Sequence, residues 1–375
     1  MRNKLLISLI ALTCLSWPLS ARDFIRGIVY DVGLMYGGSS LSVKDFNPEQ
    51  VEYDMNVISD ILRCNAVRIE GEDIDRLTAA SEIAHEQGLR IFFNPWKMGA
   101  DPEETASYMA KAAKAAEILR KRGFDITFVA GCEYTLFSKG AFPGETFDER
   151  FKWLVSLGES GKSKDEIIAT MTECNNKLNS ILGKICAAVR AEFSGPITYS
   201  SGVWEQVDWN MFDIIALDHY RHGENDAEYM AVIERLAGDK PVVVLETGCC
   251  TYKGAAKRGG EGFAIFQGTD ADGNGIYEGG AAPERSESEQ AQYVAEQIQL
   301  LSESPAADGV FIFVFRYPIY PYSNEGIDYD LTSYALVKSF KDTDPRSHRI
   351  PAWEPKEAFF RLGELYTRLS NQASK

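Results

Sequence analysis

Positive charge is the first thing this chain is short of. Its 39 Lys and Arg face 55 Asp and Glu, a formal net charge of −16. A surface of that sign repels phosphate backbones and anionic lipids, which argues against nucleic acid and for a neutral or cationic partner. Histidine is nearly missing, with four in 375 residues. No Cys-x-x-Cys pair or Cys/His cluster has the spacing of a zinc site, so neither metal nor cofactor is expected. The seven cysteines do not form the framework of a small disulfide-stapled domain. Adjacent Cys249 and Cys250 leave two readings, a strained disulfide or two reduced thiols near a strand end, and the second is simpler. No Pro/Ser-rich linker, internal repeat or low-complexity tract divides the chain.

Long apolar runs are also lacking. The longest, Leu5 to Leu15, falls short of the roughly 20 residues that span a bilayer. It follows Arg2 and Lys4 and precedes Ser16-Trp17-Pro18-Leu19-Ser20-Ala21. That is the layout of a cleaved secretory signal peptide over residues 1–21. Residues 22–375 are then expected as one periplasmic or secreted domain without stable membrane insertion.

What is present is alternation. Eight apolar, β-branched runs are expected as strands at 25–32, 66–69, 90–94, 125–130, 197–201, 214–218, 242–245 and 310–315. Amphipathic stretches at 48–63, 74–87, 102–122, 164–192, 227–237, 287–304 and 355–369 are expected as helices. Strands alternating with helices argue for a parallel sheet, and eight strands close a (β/α)8 TIM barrel. An open dinucleotide-binding sheet would want G-x-G-x-x-G after strand one, where Gly33-Leu34-Met35-Tyr36-Gly37-Gly38 stands instead. Insertions follow strand four, 134–163, and strand seven, 247–285. Both lie on the face where barrel active sites are built. Within the second, Asp270-Ala271-Asp272-Gly273-Asn274-Gly275 resembles the start of a calcium loop. Ala281 holds its twelfth position, where a bidentate Glu is required, so a Gly-rich hairpin tip is the simpler reading.

The chemistry sits at strand ends. Strand four ends in Gly131-Cys132-Glu133 and strand seven in Val244-Leu245-Glu246. Strands four and seven face each other across a barrel mouth, so the two carboxyls address one substrate. Glycoside hydrolysis needs such a pair, one to protonate the leaving oxygen and one to attack or to activate water. Arg68, at the end of strand two, is placed to pair with a carboxylate. Tyr220, just past strand six, is placed to donate to Glu246. Asp31 ends strand one and is expected to bind a sugar hydroxyl or cap a turn. His219 is expected at the rim, as a substrate contact or a structural hydrogen-bond partner. Trp96 and Trp204 each follow a strand end and are expected as sugar platforms, with Tyr252 and Tyr317 among the aromatics of the same loops.

Several motifs carry a resemblance. They are Cys64-Asn65-Ala66-Val67-Arg68, Phe93-Asn94-Pro95-Trp96, Gly131-Cys132-Glu133-Tyr134-Thr135-Leu136-Phe137, Leu217-Asp218-His219-Tyr220-Arg221, Glu246-Thr247-Gly248-Cys249-Cys250 and Trp353-Glu354-Pro355-Lys356. Through them the chain resembles actinobacterial barrel proteins labelled abortive-infection proteins and, more broadly, clan A glycoside hydrolases. The second resemblance implies Glu133 as acid/base, Glu246 as nucleophile, and Arg68 and Tyr220 as their support. Two positions depart from it. Cys132 stands where clan A enzymes usually carry Asn, and Phe315-Arg316-Tyr317 where strand eight usually ends in Trp. The expected function is a retaining glycosidase acting on an extracytoplasmic polysaccharide or oligosaccharide, with Cys132, Arg316 and Tyr317 among its substrate contacts. The alternative is a non-catalytic carbohydrate-binding or phage-immunity protein on the same scaffold.

Overall fold

Alternation along each strand sends successive side chains to opposite faces, and here it sorts them into two cores. The computed structural model describes residues 24–36 and 40–373, so the expected signal peptide lies outside the described residues. Its eight central strands are β1 Ile25–Asp31, β2 Ala66–Gly71, β3 Arg90–Pro95, β4 Ile126–Cys132, β5 Ile197–Gly202, β6 Ile215–Asp218, β7 Val242–Thr247 and β8 Gly309–Ile312. Each pairs in parallel with the next, and β8 closes on β1. This is the expected (β/α)8 barrel. Val29, Ala66, Phe92, Val129, Ala216, Val243, Leu245 and Phe311 fill its interior. Ile28, Tyr30, Val67, Ile69, Ile91 and Phe93 point outward, where Leu77, Ala80, Ala84, Ala112, Ala116 and Leu119 of the helix layer meet them. Gly27 makes room for Phe311, whose ring a Cβ at that position would strike at 2.3 Å.

The helices are α1 Pro48–Asn56, α2 Ile74–Glu86, α3 Pro102–Lys121, α4 Tyr134–Phe137, α5 Phe147–Glu159, α6 Lys164–Glu192, α7 Asp226–Leu236, α8 Glu287–Glu303 and α9 Glu357–Ala373. The segment expected as one helix over 48–63 changes winding after Asn56, where a π-helical turn runs Val57–Ile61. The insertion after β4 holds two helices. Its second, α5, starts with a capping box in which Thr146 and Glu149 exchange side-chain and backbone hydrogen bonds. The insertion after β7 carries an antiparallel pair, Phe266–Thr269 with Gly275–Tyr277. Asp270–Asn274 forms its tip, and the Asp270 carboxylate accepts from Asp272 N, Asn274 N and Asn274 Nδ2 at 2.8–3.0 Å. Strand β8 ends at Ile312, short of the expected 315. The chain still donates from Phe313 N to Thr247 O and from Phe315 N to Val29 O, both at 2.9 Å.

The alternation breaks in two strands of the barrel, and the break in β7 shows on both of its neighbours, with Val310↔Val244 followed by Ile312↔Thr247 against β8. From Val129↔Thr198 to Cys132↔Ser200, β4 advances three residues while β5 advances two. From Leu217↔Val244 to Asp218↔Glu246, β7 advances two while β6 advances one. Each is a bulge carrying one extra residue.

Candidate active site

Arg68 is the hub of the barrel mouth, fully buried on the inner face of β2. Its Nε donates to Asn94 Oδ1 at 2.8 Å, and its Nη1 donates to Ser200 Oγ at 3.1 Å and to the Leu245 carbonyl at 3.2 Å. The same Nη1 lies 2.9 Å from Glu246 Oε1 and 3.7 Å from Asp218 Oδ1. Its Nη2 lies 3.3 Å from Glu70 Oε2. A guanidinium so enclosed is tolerated because carboxyl groups surround it on several strands.

Glu246 reaches this hub because of the bulge in β7. Val243 and Leu245 face inward, so strict alternation would send Glu246 out of the barrel. The extra residue turns it back in, where Tyr220 Oη donates to its second oxygen at 3.0 Å. The bulge in β4 likewise aims Cys132 inward. Its Sγ lies 3.4 Å from Asp218 Oδ2 and 3.7 Å from Glu246 Oε1. Burial foremost, then the nearby Asp218 and Glu246 charges, push the Cys132 thiol up, so it stays protonated. Asp218 is pushed up to about 8 by burial, then by the charge of Glu246, while Ser200 Oγ donates to its Oδ1.

Glu133 stands at the left-handed corner where β4 turns into α4, with φ of 40°. Non-glycine residues take that conformation at a cost, and the surroundings hold it here. Its N–H donates to Ser200 O at 2.8 Å. The following turn is clamped from two sides. Buried Glu205 accepts from Thr135 N at 3.0 Å, Thr135 Oγ1 at 2.7 Å and Tyr199 Oη at 2.8 Å, and Tyr199 Oη in turn accepts from Tyr134 N at 2.7 Å. Buried Arg150 donates to Leu136 O at 2.6 Å and to Gly144 O at 3.1 Å. The half-buried Glu133 carboxyl is held well above the usual range by burial, and then by the Asp218, Glu246 and Glu205 charges. It is therefore a group that keeps its proton to give away.

The expected site residues divide into two sets. Arg68, Cys132, Tyr220 and Glu246 meet directly, and Glu133 stands within their field. Asp31 lies at the end of β1, Trp96 packs against Cys132, and Tyr317 lies close to Asp31. Arg316 is shared with the outer layer, its Nε 3.9 Å from Asp54 Oδ2, while its charge also bears on Asp31. His219, Trp204 and Tyr252 go elsewhere. The His219 ring stacks on Tyr229 of α7 at 4.1 Å and its Nε2 meets the Tyr229 carbonyl at 3.0 Å, so it faces the helix layer. Trp204 donates from Nε1 to Thr135 Oγ1 at 2.9 Å and packs with Leu136, Phe142 and Cys174, which makes it a prop for the Glu133 turn. Tyr252 is buried inside the insertion, its Oη donating to Gly262 O at 2.9 Å. Glu70, Asn94, Ser200, Asp218 and Glu205 were not among the expected site residues. Glu70 was within reach of sequence reasoning, since it lies two residues beyond Arg68 and therefore on the same strand face.

Cys132, Asp218 and Glu246 bring three potential ligand atoms within 4.8 Å of one another. A metal ion does not suit them, because the Arg68 guanidinium already occupies the cation's place beside Glu246.

No protein-family model matches the chain, and no curated protein matches it in sequence. Its fold is similar to that of solved glycoside hydrolases. A complex of a GH113 β-1,4-mannanase has a TM-score of 0.55 at 15% identity, covering 92% of this chain and 99% of that one. A GH113 β-mannanase from Alicyclobacillus acidocaldarius also has 0.55, at 14% identity over 92% and 98%. A GH2 β-galacturonidase from Eisenbergiella tayi bound to galacturonate has 0.52, at 12% identity over 92% of this chain and 51% of that one. At such identities the likeness establishes the fold, a (β/α)8 barrel of the kind found in glycoside hydrolases.

Proposed function

We propose that the protein is a retaining glycoside hydrolase with Glu246 as nucleophile and Glu133 as acid/base, acting on a polysaccharide or oligosaccharide outside the cytoplasm. One observation carries the reading. Two carboxyls at the ends of β4 and β7, in one barrel mouth, have different environments, Glu246 fixed through both oxygens and Glu133 kept protonated by burial and neighbouring charge. Pairs of acids held apart in this way mark acid/base roles.

In the first step Glu133 protonates the leaving oxygen while Glu246 attacks the anomeric carbon. The C–O bond to the leaving group breaks as the bond to the Glu246 oxygen forms. In the second step Glu133, now ionised, takes a proton from water, and that water displaces Glu246. Arg68 and Tyr220 hold the attacking group in line throughout. The likeness to enzymes of mannan and of uronosides supports glycan chemistry without choosing the sugar. The motif resemblance to barrel proteins labelled abortive-infection proteins adds no chemistry of its own. Export is inferred from the amino-terminal segment.

The test is a glycan screen read by product mass, followed by E133Q and E246Q on any glycan cleaved. Each substitution is expected to lower kcat by about 10²-fold or more. The anomer released first, read by NMR, is expected to match that of the substrate. Full activity in either variant would remove the assignment.

A further inference from the structure

Between β1 and β2 the mouth holds two carboxyls that the hydrolytic steps leave unused. Asp31 and Glu70 are register partners on adjacent strands. Asp31 is 4% exposed and Glu70 0%. Asp31 Oδ1 accepts from Gly33 N at 2.7 Å. The Asp31 carboxyl also faces the Ser42 hydroxyl, while among the described residues no hydrogen bond reaches either oxygen of Glu70 or the Arg68 Nη2 that lies 3.3 Å from it. Buried polar atoms are nearly always paired, so the two Glu70 oxygens and a guanidinium N–H side by side point to a ligand that completes them.

The walls indicate its shape. The Asp31 and Glu70 charges both bear on the hydroxyls of Tyr36 and Tyr317, which places those rings beside the pair. Tyr36 is 36% exposed and meets Tyr317 edge-on at 6.0 Å, and Tyr317 stacks on Tyr320 at 5.2 Å. An aromatic wall next to clustered acceptors suits a flat ring edged with hydroxyl donors.

We infer that Asp31 and Glu70 are the specificity pair of this mouth, accepting hydrogen bonds from adjacent hydroxyls of an uncharged sugar ring and rejecting a sugar that carries a carboxylate. The inference rests on the glycosidase reading and deepens it. Hydroxyls supply the donors that the Glu70 oxygens lack. A uronate brings further acceptors, and a negative charge beside Glu246, whose guanidinium partner Arg68 is already shared with Glu70 and Asp218. Burial raises both acids of the pair, and a protonated Glu70 still accepts through its carbonyl oxygen and donates to a hydroxyl.

The experiment compares one glycan in two forms, neutral and oxidised at C6 to the uronate, against wild type, E70Q and D31N. Binding is measured by calorimetry and cleavage in parallel. Wild type is expected to favour the neutral form by about 100-fold. E70Q and D31N are expected to lose about 10–100-fold in kcat/KM on the neutral form and to narrow the neutral-to-uronate ratio about tenfold. Two variants are used so that a folding defect in one leaves the other to decide. An unchanged ratio in a folded variant, a wild type that prefers the uronate, or a protein that binds neither form overturns the pair. Selective binding of the neutral form without cleavage supports the pair and overturns the hydrolase.

Discussion

Tyr220, just beyond β6, donates a 3.0 Å hydrogen bond to Oε2 of Glu246 on β7. Arg68 takes the other oxygen at 2.9 Å, so the carboxylate cannot rotate without losing a partner. Substituting Phe for Tyr220 keeps the ring and removes the donor. Y220F is expected to lower kcat by about 10–100-fold with little change in KM, measured by steady-state kinetics on an activated aryl glycoside. A loss confined to KM would mean that Tyr220 binds sugar rather than aligning the nucleophile.

Glu133 makes a prediction about pH. Burial first, then its acidic neighbours, hold its carboxyl above the ordinary range near about 4.3. The first step needs Glu133 protonated, so the alkaline limb of kcat/KM is expected well above that value. E133A is expected to lose the limb and to regain turnover with added azide on a substrate whose leaving group needs no proton. An alkaline limb surviving in E133A would assign the proton to another group.

Asp218 makes a prediction about stability. The folded chain keeps its proton up to about pH 8, while an unfolded aspartate releases it near about pH 3.9. The folded state binds the extra proton between those values, so this contribution is complete below the lower one and is lost as pH rises through the upper. Asn at this position carries no such proton. The melting temperature of D218N relative to wild type is expected to be higher at about pH 9 than at about pH 5, by about 2–4 °C. Calorimetry at the two pH values decides it, and equal differences would show that Asp218 ionises normally.

Glu205 makes a prediction about position. It touches no proposed reacting atom, yet it accepts four hydrogen bonds under the Glu133 turn, the fourth from Ser201 Oγ at 3.3 Å. E205Q keeps the size and turns part of that acceptor into a donor facing donors. We expect E205Q to lower kcat by about tenfold with KM nearly unchanged, and E205D, which keeps the carboxylate acceptor, to lose less. Equal activity of the two variants would make Glu205 a purely structural residue.

The barrel was legible because each strand ends in a change of period and several helices open with a cap visible in the sequence, such as Ser163 before α6 and Asn225 before α7. The carboxyl pair was legible because Glu133 and Glu246 each follow an apolar run. Orientation was not. His219 and Tyr220 are adjacent, yet one turns to α7 and the other to Glu246, and only packing against Tyr229 distinguishes them. Trp204 reads as an open platform until Thr135 claims its N–H. Glu205 was hidden for another reason. Its partners Thr135 and Tyr199 come from α4 and from the middle of β5, and nothing local announces their meeting.

The extra residue in β7 has a consequence for how this chain tolerates change. Which way Glu246 points depends on parity, the odd or even count of residues separating it from Val243 along an uneven ladder. Replacing Leu245 with another apolar residue leaves the count intact. Deleting it sets Glu246 two residues from Val243, where plain alternation aims it inward without a bulge, but it removes the Leu245 carbonyl that accepts from Arg68 Nη1 at 3.2 Å. What the extra residue adds is thus a backbone acceptor for Arg68, which a change of side chain at Leu245 leaves in place and a lost codon takes away.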